Sequence, residues 1–235
     1  MLPILGKFKR IALDLLFPLR CIECGKEGNL ICQDCRAQLQ WISAPVCSFC
    51  GVDKPIDKPC TSCPTFKPVI DGVRAPLRYE GIIRSAVHQL KYRNLRAIAI
   101  PLASVMADYL AKNPLPYDII MPVPLHFKKL RERGYNQSEL LAKEIGKITS
   151  LPVNTKCLIR IRQTPAQAMT KGRDERYVNL TDAFSCLNND TVGKRVLLID
   201  DVATSCATLD ACAQALKSAG AVSVWGFTLA RDIRK

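Results

Sequence analysis

Residues Val196 to Gly220 read VLLIDDVATSCATLDACAQALKSAG, an order of apolar run, two acids, hydroxyl-rich turn and helical pattern. The run Val196 to Ile199 is short and continuously apolar, as expected for a strand buried on both faces of a parallel sheet. After the turn, apolar residues recur at i, i+3, i+4 and i+7 and give the predicted helix one apolar face. These residues are Leu209, Cys212, Ala213 and Leu216. The stretch therefore predicts an α/β fold whose turn lies at the carboxyl edge of a mostly parallel sheet.

The turn after this strand has the chemistry of an anion site. Backbone N–H groups at a helix start lack partners and lie at the positive end of the helix dipole, so they attract a phosphate. Hydroxyl groups at Thr204, Ser205 and Thr208 add donors. The preceding carboxylates, Asp200 and Asp201, suit ribose hydroxyls and a Mg²⁺ ion, which prefers oxygen ligands. The alternative is an ordinary connection in which Ser or Thr caps the helix and the carboxylates are solvated.

The order DD-x-x-T-S-x-x-T resembles the signature of type I phosphoribosyltransferases, which use phosphoribosyl pyrophosphate (PRPP). The resemblance implies that Asp200 and Asp201 are the catalytic acids and hold the ribose hydroxyls together with Mg²⁺. It also implies that the PRPP 5′-phosphate lies on the loop formed by Thr204, Ser205, Cys206, Ala207 and Thr208. The family usually has Gly where this chain has Cys206, and Gly permits close approach to a ligand or a positive φ. We therefore expect Cys206 to tighten the pocket and weaken phosphate binding.

A second anion-friendly segment follows a predicted strand, Tyr117 to Val123. In it, one acid, Glu132, is opposed by four cations: Lys128, Lys129, Arg131 and Arg133. The sequence VPLHFKKLRERGYNQSELLAK resembles a stretch typical of the ComF family, phosphoribosyltransferase-like proteins associated with competence and the use of external DNA. The resemblance implies that this loop meets the pyrophosphate of PRPP through Arg133, Gly134, Asn136 and Gln137. Charge alone is equally consistent with a solvated basic helix surface.

A third segment, LIRIRQTPAQAMTKGRDERYVNLTDAF from Leu158 to Phe184, is long and rich in cations. A loop of this length inside a compact domain is typical of a lid or a disordered segment. It resembles the mobile loop that closes over PRPP in amidophosphoribosyltransferase-like relatives. That resemblance implies ligand contacts from Arg160, Gln163 and Gln167. A basic tether for single-stranded DNA would explain the same residues.

Eight of the twelve cysteines form four C-x-x-C pairs. They are Cys21/Cys24, Cys32/Cys35, Cys47/Cys50 and Cys60/Cys63. Each pair can grip one metal from a tight turn and two pairs complete a tetrahedron, so the spacing predicts two closed, structural Zn²⁺ sites. Sequential pairing, with the first four cysteines on one zinc and the next four on another, is the simplest, and a crossed arrangement is the alternative. Thiol–disulfide redox chemistry is the competing interpretation.

Turn-forming residues around Pro68 divide the chain into two predicted units. Residues 1–67 hold an N-terminal helix and the double zinc module, and residues 68–235 hold the phosphoribosyltransferase-like domain. The module is too short to fold by burying apolar surface alone, so metal binding should supply much of its folding free energy.

Within the second unit, periodicity predicts an edge strand and further helices. The predicted elements are a strand Gly72 to Tyr79, a helix lined by Ile83, Val87 and Leu90, a helix Leu95 to Lys112 interrupted by Pro101, a helix lined by Leu141, Ile145 and Ile148, and a closing strand Val222 to Leu229. Lys91, Tyr92 and Arg93 end the first helix, where cations complement the helix dipole. A position facing the active cleft is the alternative for these three.

The chain is basic, since Lys and Arg outnumber Asp and Glu by 34 to 21 and the formal net charge is +13. Each Zn²⁺ with four thiolates carries −2, so two such sites lower this value to +9, which still favours polyanionic partners. Charged residues interrupt the apolar runs of the first twenty residues: Lys7, Lys9, Arg10 and Asp14. No run approaches the ~20 apolar residues of a membrane span, and no export signal is evident. We predict a cytoplasmic protein without membrane insertion, beginning with an amphipathic helix that carries Phe8, Ile11, Ala12 and Leu15.

The resemblance implies a PRPP-binding, phosphoribosyltransferase-like protein that acts in DNA uptake and handles incoming single-stranded DNA or its nucleotides. The reaction implied by the resemblance is displacement of pyrophosphate from C1′ of PRPP. The acceptor is not evident, because His88 and His126 are interpreted as helix-face or loop residues. The alternative is a non-enzymatic adaptor that binds single-stranded DNA and docks a DNA-translocating competence helicase through its zinc module. An aromatic content of 6% weakens this alternative, since single-strand binders often stack bases on exposed rings.

Overall fold

The computed structural model describes residues 18–54, 58–61, 63, 68–162 and 182–233. The predicted N-terminal helix and the candidate residues Gln163 and Gln167 lie outside these ranges. The elements follow in the order α1 (Gln33–Ala37), β1 (Gly72–Arg74), β2 (Leu77–Arg78), α2 (Gly81–Tyr92), a 3₁₀ turn (Arg96–Ile98), α3 (Ala99–Lys112), β3 (Ile119–Pro122), α4 (Phe127–Arg133), α5 (Gln137–Thr149), β4 (Leu158–Arg160), β5 (Phe184–Cys186), β6 (Arg195–Ala203), α6 (Ala207–Ser218) and β7 (Ser223–Arg231).

Five of the strands form one sheet in which all the paired strands are parallel. The order is β1–β7–β6–β3, and β2 pairs with the same central strand, β7, as β1 does. The longest ladder joins β6 to β7, from Arg195 opposite Ser223 to Ala203 opposite Arg231. Strands β4 and β5 pair antiparallel in a separate hairpin. The predicted α/β fold with a mostly parallel sheet is confirmed.

Strand β6 is covered on both faces. Leu197 and Ile199 belong to one buried cluster, which also contains residues of α2, α3 and α5. Val196 and Leu198 belong to a second cluster, which contains the apolar face of α6. Consecutive strand residues point to opposite faces, so the two clusters lie on opposite sides of the sheet. This double burial explains why the strand is continuously apolar in sequence.

The cysteine-rich segment covers the β1–β2 edge of the sheet. The Phe49 carbonyl accepts a hydrogen bond from the N–H of Val73 at 2.7 Å, and the Gln40 carbonyl accepts one from the N–H of Arg78 at 2.8 Å. An open strand edge is a template for aggregation, so this pairing protects the sheet. Cysteines of the segment also join both buried clusters, which means that the segment shares the core of the sheet. The division at residues 67 and 68 stays a prediction.

Three expectations about individual elements need correction. The predicted strand Gly72 to Tyr79 is two short strands, because Pro76 lies between them and has no N–H to donate to the ladder. Ile148 is 54% exposed and lies outside the buried face of α5. The strand of the acidic pair does not end at Ile199, because pairing to β7 continues as far as Ala203.

Other predicted elements agree with the structure. Ile83, Val87 and Leu90 of α2 are buried, as are the four apolar residues expected on α6. Pro101 lies in the first turn of α3, where a helical N–H has no partner to lose. Within the described residues, no helix has the length and apolar character needed to cross a bilayer.

Candidate functional site

Asp201 forms a buried ion pair near the carboxyl end of β6. The residue is 3% exposed, and its Oδ2 lies 2.6 Å from Nζ of Lys91. The other oxygen, Oδ1, accepts the N–H of Val202 at 2.7 Å. Burial lowers the pKa of Lys91, but the neighbouring Asp201 outweighs it and leaves that pKa raised, so Lys91 is cationic at neutral pH. The sequence left two interpretations of the cations at the end of α2: they complement the helix dipole, or they face the cleft. Lys91 faces the cleft.

Asp200 is held by a different set of contacts. The Ser138 hydroxyl donates to its Oδ1 at 2.7 Å, and the N–H of Asp201 donates to the same oxygen at 2.9 Å. Burial and the negative charge of Asp201 raise the pKa of Asp200 to about 6, although the Ser138 hydrogen bond and Lys91 act in the opposite direction. A ligand that brings hydroxyl donors or a divalent cation would stabilise the charged form. The charge of Asp200 is therefore placed to respond to ligand binding.

The 204–208 loop connects the acidic strand to α6. Thr204 and Thr208 are half-buried, and Ser205 is buried with its Oγ accepting the N–H of Ala207 at 3.4 Å. Cys206 is the residue just before α6, and its φ of 66° and ψ of 0° are left-handed. Cys206 thus adopts a left-handed backbone conformation that is typical of Gly, although it carries a side chain. The helix start receives no cap from the Cys206 side chain, which is 4% exposed.

The Cys206 thiol points into the protein interior. Its Sγ accepts a hydrogen bond from Nη1 of Arg231 at 2.8 Å, and both residues are buried. The thiol is therefore engaged by a side chain of the neighbouring strand. The expected weakening of phosphate binding by this cysteine stays a prediction.

Helices α4 and α5 and the β4–β5 hairpin bring cations to the same region. The Arg133 guanidinium donates to Oε1 of Gln137 in α5. Burial and then the positive charges of Arg160, Arg133 and Lys91 lower the pKa of Lys129. Burial lowers the pKa of Arg160, and the negative charge of Asp200 acts in the opposite direction. Three cations thus disfavour the charge on Lys129, and a group of this kind suits an anion with several charges.

Asn136 and Gln137 have specific structural positions in this region. Asn136 is the N-cap of α5: its Oδ1 accepts the N–H of Ser138 at 3.0 Å, and its Nδ2 donates to the Val123 carbonyl at 2.9 Å. Gly134 ends α4 with a φ of 76°. These contacts fix the turn between α4 and α5, so that Ser138 reaches Asp200. The side chain of Asn136 is therefore engaged by these two hydrogen bonds, and its role at the pyrophosphate stays a prediction.

A cleft of about 510 Å³ is connected to the acidic pair through Lys91, which lines the cleft and pairs with Asp201. Its lining residues are Lys91, Tyr92, Asn94, Lys129, Glu132, Arg133 and Tyr135. Tyr92 is 67% exposed, and the Arg133 guanidinium lies 5.6 Å from the centre of its ring. The cleft therefore combines cations with an aromatic surface beside two carboxylates.

Sequence reasoning gave Lys91 and Tyr92 a position facing the cleft only as an alternative, and it did not select Ser138. Lys91 and Tyr92 end an amphipathic helix, where their charge and ring have an ordinary explanation. Ser138 lies in the first turn of α5, and no sequence motif marks it as a site residue. Only the tertiary contact with Asp200 and Asp201 identifies the lysine and the serine.

The eight paired cysteines form two clusters in sequential order. The first cysteine cluster is Cys21, Cys24, Cys32 and Cys35, and the second cysteine cluster is Cys47, Cys50, Cys60 and Cys63. Within each cluster, all four sulfur atoms lie within 4.8 Å of one another. Tetrahedral zinc with Zn–S bonds of about 2.3 Å requires sulfur atoms about 3.8 Å apart. The measured separations of 3.5 Å for Cys47–Cys63 and 3.6 Å for Cys24–Cys32 fit this requirement.

Both clusters begin with the same local turn. In each, the pair is followed by glycine with a positive φ, 74° at Gly25 and 68° at Gly51. The N–H of that glycine donates to the carbonyl of the first cysteine, Cys21 or Cys47. This turn directs both thiols to one side, as a structural zinc site requires. The donor sets support structural Zn²⁺ at two sites with no open position for a substrate.

Comparisons with known proteins agree with both parts of the structure. Residues 12–64 match the family model of the double zinc ribbon domain. Competence protein F of Haemophilus influenzae is 31% identical over 91% of this chain and 98% of its own length. Competence protein ComFC of Bacillus subtilis is 28% identical, over 88% of this chain and 86% of its own. DNA utilization protein YhgH of Salmonella typhi is 31% identical, over 86% and 91%.

Phosphoribosyl enzymes are among the solved structures that align with part of this chain. Glutamine PRPP amidotransferase from B. subtilis aligns with 55% of this chain at 18% identity and a TM-score of 0.37, and the aligned part spans 26% of that enzyme. Purine phosphoribosyltransferase from Pyrococcus horikoshii aligns with 56% of this chain and 80% of its own length, at 15% identity and a TM-score of 0.33.

Zinc content should separate the two pairings of the cysteines. We expect the full chain to bind two zinc ions, and Cys24→Ser/Cys32→Ser to retain one, because both changes fall in the first cysteine cluster. Crossed pairing would place these residues in different sites, and the double variant would then lose both ions. Elemental analysis of purified protein measures the ratio. Cys186→Ala, which changes a cysteine outside both clusters, should keep two.

Removing the cation beside Asp201 should destabilise the fold. Lys91→Met leaves a buried carboxylate without its partner, and breaking a buried pair in this way typically costs about 3–5 kcal/mol of unfolding free energy. Lys91→Met/Asp201→Asn should recover most of the loss, because the uncompensated charge is gone. Urea unfolding of the three proteins measures both values. Equal stability of the single and double variants would contradict the pairing.

Proposed function

This chain belongs to the ComF family of competence and DNA-utilisation proteins, and we propose that it binds Mg²⁺–PRPP in the handling of incoming DNA. The observation that carries the proposal is a convergence at one region of the fold. Buried Asp201 pairs with Lys91, the 204–208 loop leads from the acidic strand into α6, and Lys91 lines one cleft together with Lys129 and Arg133. PRPP has matching parts: ribose hydroxyls, a 5′-phosphate and a pyrophosphate.

Each part of the site has a role in this proposal. Asp200 and Asp201 accept hydrogen bonds from the ribose hydroxyls and provide oxygen ligands suited to Mg²⁺. The N–H groups and hydroxyls of the 204–208 loop hold the 5′-phosphate, helped by the positive end of α6. Arg133, Lys129 and Arg160 neutralise the pyrophosphate.

In the displacement that this arrangement would support, the bond from C1′ to the pyrophosphate oxygen breaks and pyrophosphate leaves with the electron pair. An acceptor nucleophile forms the new bond to C1′ and releases its proton to solvent or a base. The protein contributes position and charge: cations that already face the leaving group need no reorganisation during the reaction. His126 does not fit the role of base, because its Nδ1 accepts the N–H of Lys128 and its ring is buried. Binding of PRPP without turnover is consistent with the same residues.

PRPP binding should require the carboxylate of Asp200. We expect Asp200→Asn to weaken Mg²⁺-dependent PRPP binding at least about tenfold, or about 1.4 kcal/mol. Since burial and Asp201 raise the pKa of Asp200 to about 6, affinity of the unmodified protein should fall as pH decreases through that value. Lys91 remains cationic throughout this range and does not reverse the trend. Isothermal titration calorimetry at several pH values, with and without Mg²⁺, measures both effects.

A matched control lies at the other end of the same strand. Asp118 pairs with Arg195 at the start of β6, and Asp118→Asn removes a carboxylate there without touching the site. It should leave PRPP binding unchanged. The proposal fails if the unmodified protein shows no Mg²⁺-dependent binding, or if the two Asn variants bind alike. A pyrophosphate-release assay with nucleobases and single-stranded DNA then separates turnover from binding.

A second candidate function is that of a non-enzymatic adaptor for single-stranded DNA, and the cleft favours it. Exposed Tyr92 offers a ring for base stacking, and Lys129 and Arg133 lie beside it for backbone phosphates. This arrangement offsets the low aromatic content, since one well-placed ring is sufficient for one base. The helicase that such an adaptor would serve stays a prediction from the sequence.

Substitutions in the cleft distinguish this second function. Tyr92→Ala should weaken oligonucleotide binding by about 1–3 kcal/mol, whereas Tyr92→Phe keeps the ring and should bind normally. Arg133→Gln should reduce the slope of log affinity against log salt by about one. Fluorescence anisotropy with labelled oligo-dT at several salt concentrations measures all three. Equal affinities for Tyr92→Ala and Tyr92→Phe would rule out stacking at this position.

A further inference from the structure

The Cys47–Cys50 turn of the second cysteine cluster is held from outside by β1. Arg74 donates from Nη2 to the Ser48 carbonyl at 2.9 Å and from Nη1 to the Phe49 carbonyl at 3.4 Å. The Phe49 carbonyl also accepts the N–H of Val73 at 2.7 Å. A peptide group is planar, so a donor that holds its carbonyl holds the whole group. Two of the three peptide planes between these ligand cysteines are therefore fixed by the sheet, and the glycine contact inside the turn fixes the third.

The corresponding turn of the first cysteine cluster, Cys21–Cys24, lacks this support. No residue that the structure describes donates a hydrogen bond to the carbonyl of Ile22 or Glu23. The cations of this segment donate to carboxylates instead, and they are Arg20, Lys26 and Arg36. The two clusters thus begin with the same local turn but differ in what holds that turn from outside.

The position of Arg74 is itself fixed by the sheet. Its guanidinium carbon lies 5.0 Å from the centre of the Trp225 ring, and its Nη1 also donates to the Val73 carbonyl at 2.8 Å. Gly72 leaves room for that ring, since a Cβ there would lie 2.5 Å from it. Gly51 permits the close approach of the turn to β1, since a Cβ there would lie 2.6 Å from the Val73 carbonyl oxygen. The contact therefore depends on both the turn and the sheet.

The charge of Arg74 also suits a zinc site. Groups that hold metal ligands from outside orient those ligands and set the affinity for the metal. Four thiolates around one Zn²⁺ carry a net charge of −2, and a guanidinium bound to the ligand turn favours this complex over empty, protonated thiols. Among the residues that the structure describes, no carboxylate forms an ion pair with Arg74. Its positive charge is therefore not neutralised by an acid of the fold.

We propose that Arg74 is a positioning residue for zinc at the second cysteine cluster, which makes the two zinc sites unequal. The second site is completed by the sheet through the turn carbonyls, and the first site does not depend on this contact. Loss of the guanidinium should therefore lower the zinc affinity of the second site alone. This inference concerns the metal and is independent of the proposed PRPP binding.

Competition for zinc between the full-length protein and a chromophoric chelator tests the inference site by site. Cys24→Ser/Cys32→Ser leaves only the second site, and Cys47→Ser/Cys63→Ser leaves only the first. In the chain with the second site alone, Arg74→Met should weaken zinc binding about 10–100-fold, as is typical when an outer partner of a metal ligand is removed. In the chain with the first site alone, the same change should leave zinc affinity unaltered.

Two further variants separate positioning from a general loss of stability. Arg74→Lys keeps a positive charge but not the planar fork, and should give an intermediate affinity at the second site. Arg195→Met removes an arginine that pairs with Asp118 at the start of β6, and should alter neither site. Unchanged second-site affinity in Arg74→Met, or equal losses at both sites, overturns the inference. Should Arg74→Met fail to fold, unchanged second-site affinity in Arg74→Lys overturns it equally.

Cadmium-113 NMR gives a readout that a loss of stability would not produce. Cd²⁺ is a soft ion that occupies thiolate sites, so the full-length protein should give one signal for each cluster. Arg74→Met should shift the signal of the second cluster and leave that of the first in place, and the double cysteine variants assign the two. Two unshifted signals, or equal shifts of both, contradict a specific role for Arg74.

Discussion

The placement of two adjacent carboxylates, one half-buried and one buried, near the end of a central strand is the constraint around which this structure is arranged. Asp200 and Asp201 continue β6 beyond its apolar run, so the sheet itself carries them into the interior. Charge there is costly unless it is paired or hydrogen-bonded. Lys91 from the end of α2 and Ser138 from the start of α5 meet that need. Two helices are thereby fixed at the same edge of the sheet as the acids.

The distribution of charge around these acids is what gives the site its chemical character. Arg133 and Lys129 belong to α4 and Arg160 to the β4–β5 hairpin, and the charges of Arg133 and Arg160 disfavour the charge on Lys129. A bound anion would offset this effect. A sugar phosphate, with hydroxyls at its centre and charge at its ends, complements acids and cations placed side by side. The exposed ring of Tyr92 adds a surface on which a base can stack.

The double zinc module is integrated with the sheet through main-chain pairing and shared core. It covers the β1–β2 edge, and its two cysteine clusters pack against opposite faces. Zinc binding therefore stabilises more than a local turn, since the metal fixes residues that bury the edge of the main sheet. On the face of the second cluster, the buried Arg231 at the end of β7 donates to the Cys206 thiol, so the last strand contacts the loop before α6.

The sequence by itself determined the α/β class, the double set of metal ligands and the place of the acidic pair. These follow from patterns that are local: an apolar run buried on both faces, thiols paired across tight turns, and a strand, acids and helix in order. The predicted site residues could be named from motifs, although their roles stay predictions. Local patterns could not find the partners of Asp200 and Asp201. Lys91 and Ser138 lie far from them along the chain, and each is an ordinary helix-end residue in its own sequence. The side-chain direction of Cys206 and the burial of Arg231 were decided by tertiary structure for the same reason. The free energy of a buried charge depends on which groups the fold brings to it, and that is not encoded at any single position.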